Sequence, residues 1–91
     1  MDLQIEHLPD RGRFQAIVEG MPCVADYRLS AGVMMITHTE VASPLEGRGI
    51  ASALMDEVMA YARKSGLKVR PLCSFARSYV QRHPETSDLL S

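Results

Sequence analysis

The spacing of apolar residues first changes from a strand pattern to a helical pattern at Ile50, and this change limits the folds that the sequence can adopt. Before Ile50, apolar and β-branched residues alternate in short runs bounded by glycine and proline, a pattern that predicts successive antiparallel strands. The runs cover residues 3–8, 13–20, 23–32 and 33–41. The last of them is apolar on both faces at first and then alternates, as expected for a central strand whose far end opens towards a site.

From Ile50 onward, apolar residues recur every three or four positions, which predicts an amphipathic helix that ends at Gly66. Residues 67–73 return to a strand pattern, and residues 74–83 predict a second helix with Ser74 as its N-cap. The predicted order is therefore β-β-β-β-α-β-α. We expect the final residues, 84–91, to form a loosely held tail.

Length and charge narrow the class of protein. The chain has 91 residues, enough for one domain spanning residues 1–91 with a small core. A net charge of -1 without a basic block argues against nucleic-acid binding, and no apolar stretch is long enough to predict a membrane span. The acidic start of the chain does not resemble a secretory signal, and only Cys23 and Cys73 are available for pairing. These features predict a cytoplasmic protein with reduced thiols.

The stretch "LEGRGIASAL" places two glycines directly before the first helix. Two strands joined by a helix should be parallel neighbours, so this loop is expected at the carboxyl end of the fourth strand, where ligands bind. Unpaired N–H groups and the helix dipole attract a phosphate there, Gly47 and Gly49 allow close approach of the backbone, and Arg48 adds positive charge. Alternatively, the glycines only form a tight turn. The stretch fits neither a nucleotide-triphosphatase loop nor a full dinucleotide fingerprint.

The segment "VASPLEGRGIASALMDEVMAYARKSGLKV" resembles the acetyl-CoA-binding signature of the GNAT superfamily of N-acetyltransferases. The signature, Gln/Arg-x-x-Gly-x-Gly/Ala, falls on Glu46, Gly47, Arg48, Gly49, Ile50 and Ala51. Glu46 stands where the family has Gln or Arg. Together with "DYRL", "THTEV" and "GLKVRPLCSFARSYVQRHPE", the match resembles the short YjdJ-type branch of the superfamily. The resemblance implies a compact α/β fold with a mixed sheet, whose parallel β-α-β unit forms the acetyl-CoA site.

Acetyl transfer to an amine requires a base, stabilisation of an oxyanion and an acid for the departing thiolate. The resemblance implies that a backbone N–H near Val41 stabilises the oxyanion. His38 and Glu40 are two positions apart on one strand face, and either could act as the base. Equally, Glu40 could be a solvated edge residue and His38 a hydrogen-bonded strand histidine. His7 and His83 show no ligand spacing with cysteine or carboxylate, so no metal is predicted.

Two residues near the second helix are candidates for the remaining chemistry. The resemblance implies that Tyr79 protonates the leaving thiolate, although this ring could only pack in the core. Cys73 lies at a strand end, ahead of a helix whose dipole would lower the pKa of the thiol. It could be a nucleophile that forms an acetyl-enzyme, or a small buried residue. We favour direct transfer without a covalent intermediate.

The predicted function is acetyl-CoA-dependent transfer of acetyl to an unidentified amine. The chain is too short to carry the extra helices with which larger relatives enclose their acceptor, so the acceptor groove is expected to be open or partly built by a protein partner or a second copy. The alternatives are a non-catalytic acetyl-CoA- or CoA-binding or interaction module, and a purely structural adaptor.

Overall fold

The computed structural model describes residues 3–91 and contains the predicted elements in the predicted order. The strands are β1 (Ile5–Leu8), β2 (Arg13–Val18), β3 (Met21–Ser30), β4 (Val33–Glu40) and β5 (Lys68–Pro71), and the α-helices are α1 (Ile50–Ser65) and α2 (Ser74–Arg82). Short 3₁₀ turns form at Pro9–Arg11, Ser43–Leu45 and Pro84–Leu89. Met1 and Asp2, which belong to the predicted domain 1–91, lie outside the described residues.

The five strands form one mixed sheet in the order β1-β2-β3-β4-β5. β1 to β4 pair antiparallel, whereas β4 and β5, which α1 connects, are parallel. Two-residue loops join β2 to β3 and β3 to β4, and both residues of each loop have positive φ, as type I′ hairpin turns require. The predicted antiparallel strands and the parallel β-α-β unit are both confirmed.

Both helices pack on one face of the sheet. Their buried side chains, among them Leu54, Val58 and Ala76, form a single core with Ala25, Ile36 and other sheet residues of that face. The opposite face is helix-free among residues 3–91. It consists mainly of half-buried or exposed polar residues, including Arg13, Gln15, Asp26, Arg28 and Arg70. We call it the open face.

The predicted end of α1 is confirmed, whereas the predicted start of α2 is not. At the end of α1, Gly66 N–H donates to the Arg63 carbonyl and Leu67 N–H to the Ala62 carbonyl, the Schellman pattern predicted by the glycine. At the start of α2 the N-cap is Cys73 in an extended conformation, and no side chain caps the helix. The prediction of Ser74 as N-cap is therefore wrong, because Ser74 is already the first helical residue.

A β-bulge in β4 determines which side chains in the second half of this strand face the helices. Tyr27 pairs with Ile36 and Asp26 with His38, so Thr37 is an extra residue without a partner on β3. Because side chains alternate along a strand, this extra residue moves Thr39 to the helix side and His38 to the open face.

An aromatic cluster supports the first strand. The His7 ring stacks on Phe14 with centroids 4.0 Å apart, and its Nε2 lies 2.5 Å from the Tyr27 hydroxyl oxygen. Tyr61 of α1 meets the His7 ring edge-on at 4.4 Å. Burial lowers the pKa of His7, since its charged form would lose water contacts.

The C-terminal residues do not form the loosely held tail that the sequence predicts. Thr86 and Leu89 are buried, and the Thr86 hydroxyl donates to the His83 carbonyl at 2.7 Å. Leu90 forms a parallel bridge with Val69 of β5. The segment packs because its apolar positions meet α1 and α2, a contact that no local pattern encodes.

Candidate functional site

β4 extends further than its parallel neighbour and so leaves a free edge. The pairing with β5 ends at Ile36 and Pro71, where the N–H groups of Leu72 and Cys73 both donate to the Ile36 carbonyl. Beyond this point no strand among residues 3–91 pairs with β4 on that side. Within the same residues, the N–H of Val41 donates to no backbone carbonyl. The end of β4 therefore offers unpaired backbone groups.

The loop that follows β4 is anchored at one position and open at the next. Leu45 is fully buried and ends the short Ser43–Leu45 turn. Gly47 and Gly49 then have φ of 83° and 81°, backbone angles that residues with a Cβ atom rarely adopt. A Cβ atom placed on either glycine would have no atom within 4 Å. The tight turn alone thus explains both glycines, and the space above them is empty of protein.

The start of α1 presents a row of unused donors. Gly49 is the N-cap, and the first backbone bond of the helix runs from Ala53 N–H to the Gly49 carbonyl at 3.0 Å. The N–H groups of Ile50, Ala51 and Ser52 have no partner inside the helix, as at every helix start. Within residues 3–91 the N–H groups of Gly47 to Gly49 also have no backbone acceptor. The loop and helix start together form a surface of donors with positive potential.

These donors border a cavity of about 370 Å³ between the end of β4, the start of α1 and one side of α2. Its eleven lining residues are Thr39, Val41, Leu45, Glu46, Gly47, Gly49, Ile50, Ala51, Ser52, Phe75 and Arg82. Of the residues predicted to bind the cofactor, all except Arg48 line this cavity. The predicted loop and the cavity thus coincide.

Arg48 is turned towards the β2–β3 turn instead. Its Nη1 lies 2.5 Å from Oε2 of Glu19, and the two side chains are 39% and 58% exposed. The Glu19 carboxylate partly neutralises the positive charge that Arg48 was predicted to add beside the loop, although solvent weakens such exposed pairs.

The two predicted bases lie together on the open face. His38 Nε2 and Glu40 Oε1 are 2.9 Å apart, with the side chains 55% and 67% exposed. The sequence therefore predicted their common face, but the bulge at Thr37 places that face opposite to the cavity. Only the width of β4 separates the pair from Thr39 and Val41, which line the cavity.

Cys73 lies close to the cavity without lining it. Its Sγ is 3.5 Å from the Thr39 hydroxyl, and the residue is half-buried. Both Cys73 and Cys23 carry free thiols. The Thr39–Cys73 contact brings the thiol to the carboxyl end of β4, beside the free edge.

Tyr79 is buried between the two helices. Its hydroxyl donates to the Asp56 carboxylate of α1, and its ring stacks on His83 with centroids 4.0 Å apart. Burial raises the pKa of Tyr79, and the hydrogen bond to Asp56 raises it further. Tyr79 is not among the lining residues of the cavity.

Several residues of the cavity were not predicted from the sequence. Thr39 lies between the two predicted bases, and only the bulge turns it towards the cavity. Phe75 and Arg82 are seven positions apart, two turns of α2, a spacing that could have indicated a common face. Nothing in the sequence indicated that this face meets the glycine loop.

Neither a metal-binding cluster nor a membrane-spanning helix is found among residues 3–91. No group of three or more His, Cys, Asp or Glu side chains there is placed to hold a metal ion. None of the described helices is both long and apolar enough to cross a membrane.

The fold and the glycine loop after β4 define a domain of the GCN5-related acetyltransferase class. The sequence profile described as GCN5-related N-acetyl-transferase matches residues 13–89, and the chain therefore belongs to this family. This result confirms the predicted superfamily, while the YjdJ-type branch stays a prediction.

A solved structure supports the same class. The solution structure of a GCN5-like candidate N-acetyltransferase from Staphylococcus aureus is similar to this chain, with a TM-score of 0.80 and 25% sequence identity. The similarity covers 98% of this chain and 88% of the other. No curated protein matches the chain significantly.

Proposed function

We propose that the protein transfers acetyl from acetyl-CoA to an amine by direct attack on the thioester. The observation that carries this proposal is the cavity at the carboxyl end of β4, bordered by the unused N–H groups of residues 47–52, in a chain of the GCN5-related family. Such donors at a helix start suit a diphosphate, which CoA carries and most other acyl donors lack.

In this proposal acetyl-CoA binds with its pyrophosphate on the backbone of residues 47–51 and its acyl arm along the free edge of β4. The arm then ends near Val41, whose N–H has no backbone acceptor within residues 3–91. When the amine attacks the carbonyl carbon, negative charge develops on the carbonyl oxygen. A donor fixed in advance at that point stabilises the charge without reorganisation.

The acceptor amine approaches from the open face, where His38 and Glu40 lie. A protonated amine is not a nucleophile, so it must first lose a proton to the imidazole, to the carboxylate or through water to either. The free edge of β4 beyond Ile36 provides the passage between this face and the cavity. As the C–N bond forms and the C–S bond breaks, the thiolate leaves and takes up a proton.

The role of Tyr79 as the acid in this last proton transfer stays a prediction. The hydroxyl is hydrogen-bonded to Asp56, outside the cavity lining, and its raised pKa makes the phenol a weaker acid. Full turnover by a folded Tyr79→Phe variant would contradict the assignment.

The position of Tyr79 also favours a second candidate function, a CoA-binding module that transfers nothing. Such a module needs the donor surface at residues 47–52 but no acid near the thioester. The free thiols of Cys23 and Cys73 suit a reducing compartment and support a cytoplasmic location for either function.

One experiment separates the two functions. CoA release is followed with a thiol reagent while acetyl-CoA and a panel of amines are added, and CoA binding is measured by calorimetry on the same protein. Transfer predicts CoA release that depends on one class of amine. Binding without amine-dependent release supports the module, and a lack of binding contradicts both functions.

A further inference from the structure

The cavity has a second wall, formed by α2, that the glycine loop does not account for. Phe75 in the first turn and Arg82 at the last residue of α2 both line it, facing the donors of residues 47–52. Arg82 is exposed and, within residues 3–91, makes neither a hydrogen bond nor an ion pair. Its guanidinium group is therefore available to a ligand.

Arg82 supplies the positive charge among the side chains that line the cavity. Among the eleven lining residues, all within residues 3–91, Arg82 is the only cation and Glu46 the only anion. Glu46 occupies the position at which the family signature has Gln or Arg, and its carboxylate would repel an anionic ligand. Arg48 cannot fully offset this repulsion, because it is paired with Glu19.

Other basic side chains near α2 are also engaged. Arg77 donates to the Leu72 carbonyl at 2.7 Å, and Arg63 pairs with Asp88 at 2.7 Å. Among the side chains of residues 3–91 that line the cavity, Arg82 is thus the one that can neutralise an anion held by the loop.

We propose that Arg82 binds the pyrophosphate of acyl-CoA from the α2 side, opposite the backbone donors, and makes the site selective for CoA thioesters over pantetheine thioesters. The inference rests on the proposed function, since it takes the cavity to be the acyl-CoA site. A guanidinium group can donate two hydrogen bonds to one phosphate, and charged hydrogen bonds are stronger than neutral ones. Pantetheine has the same thiol arm without a diphosphate and therefore gains nothing from Arg82.

The test is calorimetric binding of CoA, dephospho-CoA and pantetheine to three proteins. The proteins are the wild type, Arg82→Gln, and Arg28→Gln, which loses the same charge from the open face. We expect Arg82→Gln to weaken CoA and dephospho-CoA alike, by about tenfold, and to leave pantetheine unchanged. Arg28→Gln should bind all three ligands as the wild type does. Arg82→Lys should recover part of the loss, because it restores the charge without the second donor.

The binding results separate a failure of the proposed function from a failure of the role of Arg82. If the wild type binds no CoA, the proposed function fails and the inference falls with it. If the wild type binds CoA and Arg82→Gln binds it equally well, only the role of Arg82 is wrong. A loss for CoA without a loss for dephospho-CoA would assign Arg82 to the 3′-phosphate and overturn the pyrophosphate contact. An equal loss in Arg28→Gln would show a general charge effect and would also overturn it.

Discussion

Replacement of Gly49 by valine tests the donor surface at the start of α1 with a built-in control. Gly49 has φ of 81°, and Gly32 in the β3–β4 turn has φ of 78°. A Cβ atom at either position would have no atom within 4 Å. A β-branched residue is strained at both positions, by about 1–3 kcal/mol. Because the added Cβ atom meets no protein atom at either position, we expect similar losses of stability from Gly49→Val and Gly32→Val.

For a domain of this size, each kcal/mol lowers Tm by about 4–8 °C, so both variants should fold at low temperature. Their effects on ligand binding should differ. At position 49 the new side chain enters the space above the donors, where the pyrophosphate is proposed to lie, and CoA affinity should fall by at least about tenfold, or roughly 1.4 kcal/mol. Gly32 is absent from the cavity lining, and Gly32→Val should keep its affinity.

The assays are thermal unfolding and calorimetric titration with CoA, both carried out well below the lower Tm. If folded Gly49→Val binds CoA as tightly as the wild type does, the donor surface is not where the pyrophosphate binds. If Gly32→Val loses as much affinity as Gly49→Val, the loss of affinity comes from lower stability in general and not from the position of Gly49 beside the donors.

Three more predictions concern the chemistry and the fold. The double variant His38→Ala, Glu40→Gln should bind CoA normally but lose about 100-fold or more in turnover on a verified amine. Full turnover would exclude both residues as bases. Intact-protein mass after incubation with acetyl-CoA alone should show no acetyl group on Cys73. An acetyl adduct that an amine discharges at the turnover rate, and that is absent in Cys73→Ala, would instead support an acetyl-enzyme route. Burial lowers the pKa of His7 below its ordinary 6.5 in the folded state. As the pH falls below about 6.5, the unfolded state therefore takes up a proton before the folded state does. The free energy of unfolding should decline over this range, until the pH reaches the pKa of His7 in the folded state. Urea unfolding should show this decline in the wild type and less of it in His7→Gln; an equal decline in both would assign the pH dependence to other groups.

The elements that the sequence predicted correctly depend on local chemistry. The change of spacing at Ile50 and the glycine after α1 each involve residues within a few positions of one another. The parallel pairing of β4 with β5 also followed from their connection through a helix. These features need no knowledge of distant contacts, so a single sequence is enough to predict them.

Apart from the N-cap of α2, which is Cys73 rather than Ser74, the features that the sequence did not predict depend on residues far apart in the chain. The bulge at Thr37 is defined by the register of β4 against β3, and without it His38 and Glu40 could not be assigned to the open face. The pairing of Arg48 with Glu19 joins residues 29 positions apart. The burial of Thr86 and Leu89 depends on how α1 and α2 are placed. Such contacts are properties of the assembled domain.

The order of strands in the sheet has a consequence for how the domain assembles. Because spatial order equals chain order, the first four strands pair through short loops that cost little entropy to close. The pairing of β4 with β5 must instead wait for the crossover through α1, so we hypothesise that the hairpins form early and the β4–β5 contact late in folding. Substitutions in the β3–β4 turn should then slow refolding, whereas core truncations in α2 should mainly speed unfolding, and the reverse pattern in stopped-flow kinetics would refute the hypothesis. The cavity, which lies where these late contacts meet, would then be the last part of the domain to take shape, and a ligand bound there would hold together the contacts that form latest.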